Sequence, residues 1–432
     1  MRNAVLAAVL SAALCGAASA QAVTPPAVTQ HYANIAQAGY QDALTTARGL
    51  KQAVDALIAG PSEQTLRAAR QAWIAARVPY QQTEVFRFGN PIVDDWEGRV
   101  NAWPLDEGMI DYVDASYGTE SDANSYYVVN VIANPVIKVG GKDIDASRIT
   151  PELLRDSLHE ADGNEANVAT GYHAIEFLLW GQDLNGTGPA PAGRQGTPQE
   201  RHAGNRPHTD FDTKQCTGGN CERRAQFLSA ATELLISDLE EIVAAWGADG
   251  DARKAVQEDP QAGLAAMLTG LGSLSYGELA GERMKLGLLL NDPEEEHDCF
   301  ADNTHNSHFY NQQGMVNVYE GRYQRVDGKA VSGASLSALV RAKDAALDKE
   351  VRAKLAATTQ AMQALKTRAE TVETYDQMIG AGNQAGNAVV QAAIDALVDQ
   401  TRSFERVIAV LQLGDIDLEG SDSLDDPDAV FQ

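Results

Sequence analysis

Basic residues are scarce in this chain of 432 residues. Lys and Arg number 34 against 60 Asp and Glu, which gives a formal net charge of −26. Nucleic acids and anionic membrane surfaces attract proteins through clustered positive charge. The composition therefore argues against a nucleic-acid partner and against binding to an anionic membrane.

Long apolar runs and common catalytic fingerprints are also missing. No stretch beyond the N-terminus approaches the roughly 20 apolar residues of a transmembrane helix, so we predict no transmembrane segment. The chain lacks a G-x-S-x-G elbow, a phosphate-binding loop and a dinucleotide fingerprint. His159-Glu160 is not followed by the second histidine of H-E-x-x-H, and His173 does not begin an H-x-x-E-H pattern.

Residues 1–20 have the pattern of a cleavable secretory signal. Arg2 supplies positive charge, the following apolar run is short, and small residues lead up to Ala20. Cys15 follows Leu14 rather than a small residue, so we interpret it as part of the signal and not as a lipid anchor. We expect export to the periplasm or to the outer-membrane-associated cell envelope.

Cysteines are few, and two of them lie close together. Cys216 and Cys221 are separated by four residues, and in an oxidising compartment this spacing predicts a local disulfide. Half of a zinc site is the alternative, but no second pair with this spacing exists to complete it. Cys299 remains, and we expect it to be a buried thiol.

Apolar residues recur at a three-to-four spacing through most of the chain, which predicts an all-α protein. We predict two packed helical bundles, over residues 21–250 and 251–432, with long irregular loops and an acidic tail. A similar Tyr, Glu and Arg spacing near residues 80–87 and 276–283 fits an internal duplication or chance. Long helices are expected over residues 31–59, 222–246, 264–290, 335–374 and 384–413.

The sharpest chemical pattern is Gly171-x-His173-x-x-Glu176. On a helix these two side chains lie three residues apart on one face, where both could bind one metal ion. A hydrogen-bonded pair in a protein core would give the same pattern. A second segment, residues 292–305, is dense in carboxylates and imidazoles, and either a solvated turn or the lining of a site would explain it.

These two segments, with residues 103–108 and the cysteine turn, resemble the imelysin family of envelope proteins, whose signature is G-x-H-x-x-E. The chain looks most like the branch described as iron-regulated proteins. The resemblance implies a two-bundle helical fold, a site containing His173 and Glu176 near the bundle interface, and a link to iron acquisition. Glu84 and Asp106 lie in segments similar to family motifs and are candidates for further metal ligands.

The predicted function is metal binding associated with iron acquisition. A mixed imidazole and carboxylate site suits iron or zinc better than calcium or magnesium, which prefer oxygen ligands alone. The expected partners are the metal ion or an iron-bearing ligand, and other envelope components of iron uptake. The family was named for a metallopeptidase, so a peptidase using His173 and Glu176 is the alternative. The missing third zinc ligand of known zincins argues against it.

Overall fold

Helices dominate the computed structural model, which describes residues 23–121 and 123–431, and the all-α prediction is confirmed. The predicted signal at residues 1–20 lies outside the described residues. None of the helices in the described part is both long enough and apolar enough to cross a bilayer.

The regular elements follow one another along the chain with few strands between them. The α-helices are α1 (Pro25–Ala59), α2 (Glu63–Gln81), α3 (Pro91–Asn101), α4 (Glu107–Ile110), α5 (Pro151–Leu153), α6 (Gly171–Trp180), α7 (Pro198–His202), α8 (Cys221–Ala245), α9 (Asp251–Gln257), α10 (Pro260–Ser273), α11 (Leu286–Leu290), α12 (Thr304–Glu320), α13 (Leu336–Lys343), α14 (Ala345–Thr371), α15 (Tyr375–Ile379), α16 (Gln384–Leu411) and α17 (Asp422–Asp425). The strands pair as two antiparallel hairpins, β1 (Val136–Val139) with β2 (Lys142–Asp145) and β3 (Arg322–Gln324) with β4 (Ala330–Ser332).

One of the predicted long helices is wrong as a single element, and a second is helical throughout but not α-helical throughout. The helix expected over residues 335–374 is broken at Asp344, whose carboxylate accepts hydrogen bonds from the amides of Ala346 and Leu347 and so caps α14. The helix expected over residues 264–290 begins at Pro260, after a second capping aspartate, and passes through a π-helical stretch at Leu274–Lys285. The break at Asp344 separates α13 from α14.

The helices pack around one continuous core of buried apolar side chains. Helix α1 packs against α2 and α8. In the other group, α14 packs against α12 and α16, and the π-helical stretch also packs against α12 and α16. Helix α10 contacts both α1 and α16 and so joins the two groups. The predicted division near residue 250 and the internal duplication remain predictions.

The long segment between α6 and α8 is held in place by a disulfide and by buried charges. Cys216 and Cys221 form the predicted disulfide, with their Cα atoms 5.8 Å apart. The carboxylate of Asp111 accepts hydrogen bonds from the guanidinium groups of Arg206 and Arg224, and all three side chains are buried. This arrangement fixes the end of the loop against the start of α8.

Candidate metal centre

Helix α6 places the G-x-H-x-x-E motif inside the protein, and all ten of its residues are buried. Gly171 begins the helix with φ +77°, and a Cβ atom there would lie 2.3 Å from the carbonyl oxygen of Val100. Only glycine fits both the backbone conformation and this close approach. The glycine of the motif therefore lets α6 begin against the end of α3.

His173 and Glu176 contact each other directly. The Nδ1 atom of His173 is 2.9 Å from Oε2 of Glu176, and Oε1 of Glu176 accepts a hydrogen bond of 2.9 Å from the amide of Ala301. Both carboxylate oxygens are thus engaged, and the Nε2 atom of His173 is buried without a hydrogen-bond partner in the described structure. The two predicted ligands form a supported pair in which one imidazole nitrogen remains available.

The segment before α12 brings two further groups to His173. Possible ligand atoms of His173, His297 and Asp298 all lie within 4.8 Å of one another, and all three residues are buried. The rings of His173 and His297 meet edge to face with 4.8 Å between their centroids. Two imidazoles and one carboxylate therefore converge from elements more than 100 residues apart.

Asp298 is held by an arginine on α2. Its Oδ1 accepts a hydrogen bond of 2.7 Å from Nη2 of Arg77, and its Oδ2 accepts from Asn303 and Ser307. Burial alone would raise the pKa of Asp298, but Arg77, His173 and the hydrogen bond from Ser307 together lower it to about 2. The group is a carboxylate at neutral pH, and Oδ1 keeps a lone pair that could bind a cation.

Both histidines are neutral at physiological pH. Burial, reinforced by the nearby positive charge of Arg77, lowers the pKa of His173 to about 3. Burial and the charge of Arg283 hold the pKa of His297 well below its usual range. Burial raises the pKa of Glu176, and a cation held by His173 would oppose that rise by stabilising the carboxylate.

The structure places Glu84 near this centre but gives it another partner. Glu84 is buried and forms an ion pair of 2.8 Å with Arg283. Asn101 lies between them and the centre, because its side-chain nitrogen is 3.5 Å from Glu84 and 3.4 Å from Nε2 of His297. Glu84 is therefore one side chain removed from the histidines.

Asp106 lies in a different polar network, and the described structure does not group it with His173. Its carboxylate accepts a hydrogen bond from Asn124, which also bonds to Asn167. Burial raises the pKa of Asp106. His297 and Asp298 were not chosen as ligands from the sequence, although both lie in the donor-rich segment at residues 292–305.

A cavity of about 360 Å³ reaches His297. Trp103 and His297 line it, and the Trp103 ring also packs on His173 with 5.3 Å between centroids. Charged side chains also line the cavity, and burial raises the pKa of one of them, Glu97, to about 7. The lining includes Arg87, Glu97, Glu278, Glu282, Arg283 and Glu295.

The fold and this buried centre define a helical protein with the G-x-H-x-x-E motif in its core. The sequence model described as Imelysin matches residues 36–404, and the chain belongs to the imelysin family. A relative named iron-regulated protein A, from Synechococcus elongatus, is 37% identical over 67 residues. That match spans 16% of this chain and 19% of the relative.

Two solved structures share the fold. An iron-regulated protein A precursor from Parabacteroides distasonis superposes with a TM-score of 0.60 at 18% identity, covering 91% of this chain and 97% of the other. An imelysin-like protein from Psychrobacter arcticum gives a TM-score of 0.54 at 16% identity, covering 90% and 98%. At these identities the likeness concerns the fold alone.

Proposed function

We propose that the protein binds one transition-metal ion through His173, His297 and Asp298, and that it acts in iron acquisition. The observation that carries the proposal is the Nε2 atom of His173, which is buried without a hydrogen-bond partner beside a second neutral imidazole and a carboxylate. A buried polar atom is normally satisfied by a partner, and a metal ion would satisfy this one.

The donor set favours iron over the alkaline-earth ions. Two imidazoles and one carboxylate on one side of an ion, with open positions on the other, are typical of non-haem Fe(II) sites. The names of the relatives, iron-regulated protein A and its precursor, support iron as the natural ion. Zinc binds such a set more tightly than iron in the Irving–Williams order, so affinity in purified protein does not by itself identify the ion.

Glu176 takes a supporting part in this proposal. A histidine that binds a metal ion commonly donates its other ring N–H to a carboxylate, which fixes the tautomer and the ring orientation. The contact between Nδ1 and Glu176, together with the amide of Ala301, provides that arrangement. We place this activity in the bacterial cell envelope, as the N-terminal sequence predicts, with other iron-uptake components as partners.

Titration calorimetry of metal-free protein with Fe(II), Fe(III) and Zn(II) under matched conditions tests the proposal. We expect His173→Gln and His297→Gln each to weaken binding at this site at least roughly tenfold, as loss of a direct ligand does. His208→Gln is the matched control, because His208 is a partly exposed histidine paired with Glu63 at the surface. Equal affinity in all four proteins would refute the site.

A metallopeptidase is the second candidate, and Glu97 is the observation that favours it. A general base works best with a pKa near the working pH, and burial raises the pKa of Glu97, which lines the cavity beside His297, to about 7. Glu176 is a poorer base because both of its oxygens already accept hydrogen bonds or contact His173. Turnover of an unfolded protein substrate that is lost in Glu97→Gln and His173→Gln would favour the peptidase.

A further inference from the structure

A second group of buried ionisable side chains lies where the loop after α6 meets the C-terminal helices. Asp183 and His202 come from that loop, Asp302 precedes α12, and Asp376 lies in the first turn of α15. One possible ligand atom from each of the four residues lies within 4.8 Å of all the others. The side chains of His202, Asp302 and Asp376 are at most 2% exposed.

The orientation of His202 leaves one ring nitrogen facing the acids. Its Nε2 lies 2.9 Å from the carbonyl oxygen of Gly188, a partner that can only accept, so Nε2 carries the proton. The Nδ1 atom lies 2.9 Å from Asp376, 3.5 Å from Asp302 and 3.8 Å from Asp183. Nδ1 is buried and faces these carboxylates without forming a hydrogen bond of good geometry.

Two of the nearby carboxylates each have one oxygen held by the protein and the other directed elsewhere. Oδ1 of Asp376 accepts hydrogen bonds from Thr374 and Gln377, while its Oδ2 is buried without a partner. Glu296 repeats the pattern, because only its Oε2 accepts a hydrogen bond. Neither oxygen of Asp302 has a partner. Such anchoring positions the acids without using the atoms that would bind a cation.

A small cavity lies beside these acids. It has a volume of about 10 Å³, close to that of one water molecule, and its lining includes Asp183, Glu296, Asp302 and Asp376 but not His202. Arg194, whose charge interacts with Asp183 and Asp302, donates its hydrogen bonds to backbone carbonyl groups. Burying several carboxylates together is costly unless positive charge compensates them.

We propose that Asp183, His202, Asp302 and Asp376 form a second cation site, separate from the His173 centre, for a divalent first-row transition-metal ion. Glu296 supplies a further carboxylate at the edge of the same cavity. Three or more carboxylates suit manganese, and the imidazole extends the preference to iron and zinc. The imidazole disfavours calcium and magnesium, which prefer oxygen ligands alone.

A bound ion here would tie together parts of the chain that are distant in sequence. Asp183 and Asp376 are separated by 193 positions, and neither Asp302 nor Asp376 lies on the same element as His202. Because the ion binds the folded arrangement only, it would stabilise that arrangement in proportion to its concentration. Metal binding and resistance to heating should therefore be lost together.

The test uses full-length, metal-free protein titrated with MnCl2, with unbound Mn(II) measured by electron paramagnetic resonance. His173→Gln weakens binding at the first centre, so the ion that still binds tightly to this variant reports on the second site. Adding Asp302→Asn or Asp376→Asn to His173→Gln should weaken the affinity for that remaining Mn(II) ion at least tenfold. Asp417→Asn on the exposed tail is the matched control, and it should bind like the parent.

Thermal unfolding gives an independent measure with the same variants. Mn(II) should raise the melting temperature of the His173→Gln protein and should leave that of the double variants unchanged. Circular dichroism of the metal-free proteins should show equal helix content, so that lost binding is not lost folding. The second site would be overturned if the remaining Mn(II) ion still bound after both aspartate substitutions. It would also be overturned if His173→Gln bound neither Mn(II) nor Zn(II) at millimolar metal.

The two sites fail in different ways. If His173→Gln binds as many ions as the wild type while Asp302→Asn binds one fewer, the second site stands and the proposed function of the His173 centre falls. If Ca(II) alone binds and depends on Asp302, the assignment to a transition metal is overturned.

Discussion

The replacement Glu176→Gln tests whether metal binding depends on the contact between Glu176 and His173. The amide of Ala301 donates to Oε1 of Glu176, so the oxygen of a glutamine must take that position. Its NH2 group then faces Nδ1 of His173, where Oε2 now lies at 2.9 Å. Nδ1 must accept this hydrogen bond, and the ring proton moves to Nε2, which can then no longer bind a metal ion.

The size of this effect follows from that change of tautomer. Loss of a supporting partner of a metal-bound histidine typically costs about 10- to 100-fold in affinity, which corresponds to about 1.4 to 2.8 kcal/mol. Glu176→Gln is nearly isosteric and keeps the contact with the Ala301 amide, so helix content should not change. Calorimetry with Zn(II) and Fe(II), beside His173→Gln, measures the loss. Wild-type affinity in Glu176→Gln would refute the assigned arrangement.

Two predictions concern stability. Gly171→Ala should lower the free energy of unfolding by about 2 kcal/mol or more, measured in urea, because alanine is strained at φ +77° and its Cβ would meet the carbonyl of Val100; wild-type stability would contradict this. Asp111→Asn should cost about 3 kcal/mol by leaving two buried guanidinium groups without their shared charge, whereas exposed Asp143→Asn should cost less than about 1 kcal/mol. Burial would raise the pKa of Asp111, but Arg206 and Arg224 lower it. The contribution of Asp111 to the free energy of unfolding is therefore complete above its pKa in the unfolded chain, about 3.9, and disappears as pH falls through its lower pKa in the folded protein. A stability difference between wild type and Asp111→Asn that shrank between pH 8 and 5 would contradict this.

The periodicity of apolar residues was enough to predict the helical class, but not where long helices break. The break at Asp344 has a local signal, because aspartate is a favourable N-cap, yet the apolar spacing continues on both sides of it. The π-helical stretch at Leu274–Lys285 has no comparable signal. It packs against α10, α16 and the tail near Ser421, which are distant in sequence or lie outside the stretch itself.

The motif spacing predicted that His173 and Glu176 share one face of a helix, and it left open what they bind. The amide of Ala301, 125 residues away, engages one oxygen of Glu176 and leaves the other against His173. No pattern within α6 contains that information. The same holds for His297 and Asp298, because an acid-rich segment is usually solvated, whereas here the tertiary packing buries both residues.

The two candidate centres differ in the charge that surrounds them, and this difference determines which ions each can hold. At the first centre Arg77 already neutralises Asp298, so neutral imidazoles supply most of the attraction for a metal. At the second, Asp183, Asp302 and Asp376 surround one imidazole, and no arginine in the described structure forms an ion pair with them. Imidazole-based binding favours iron and zinc, and carboxylate-based binding extends to manganese. Ions that compete for the protein should therefore fill the two centres in a different order.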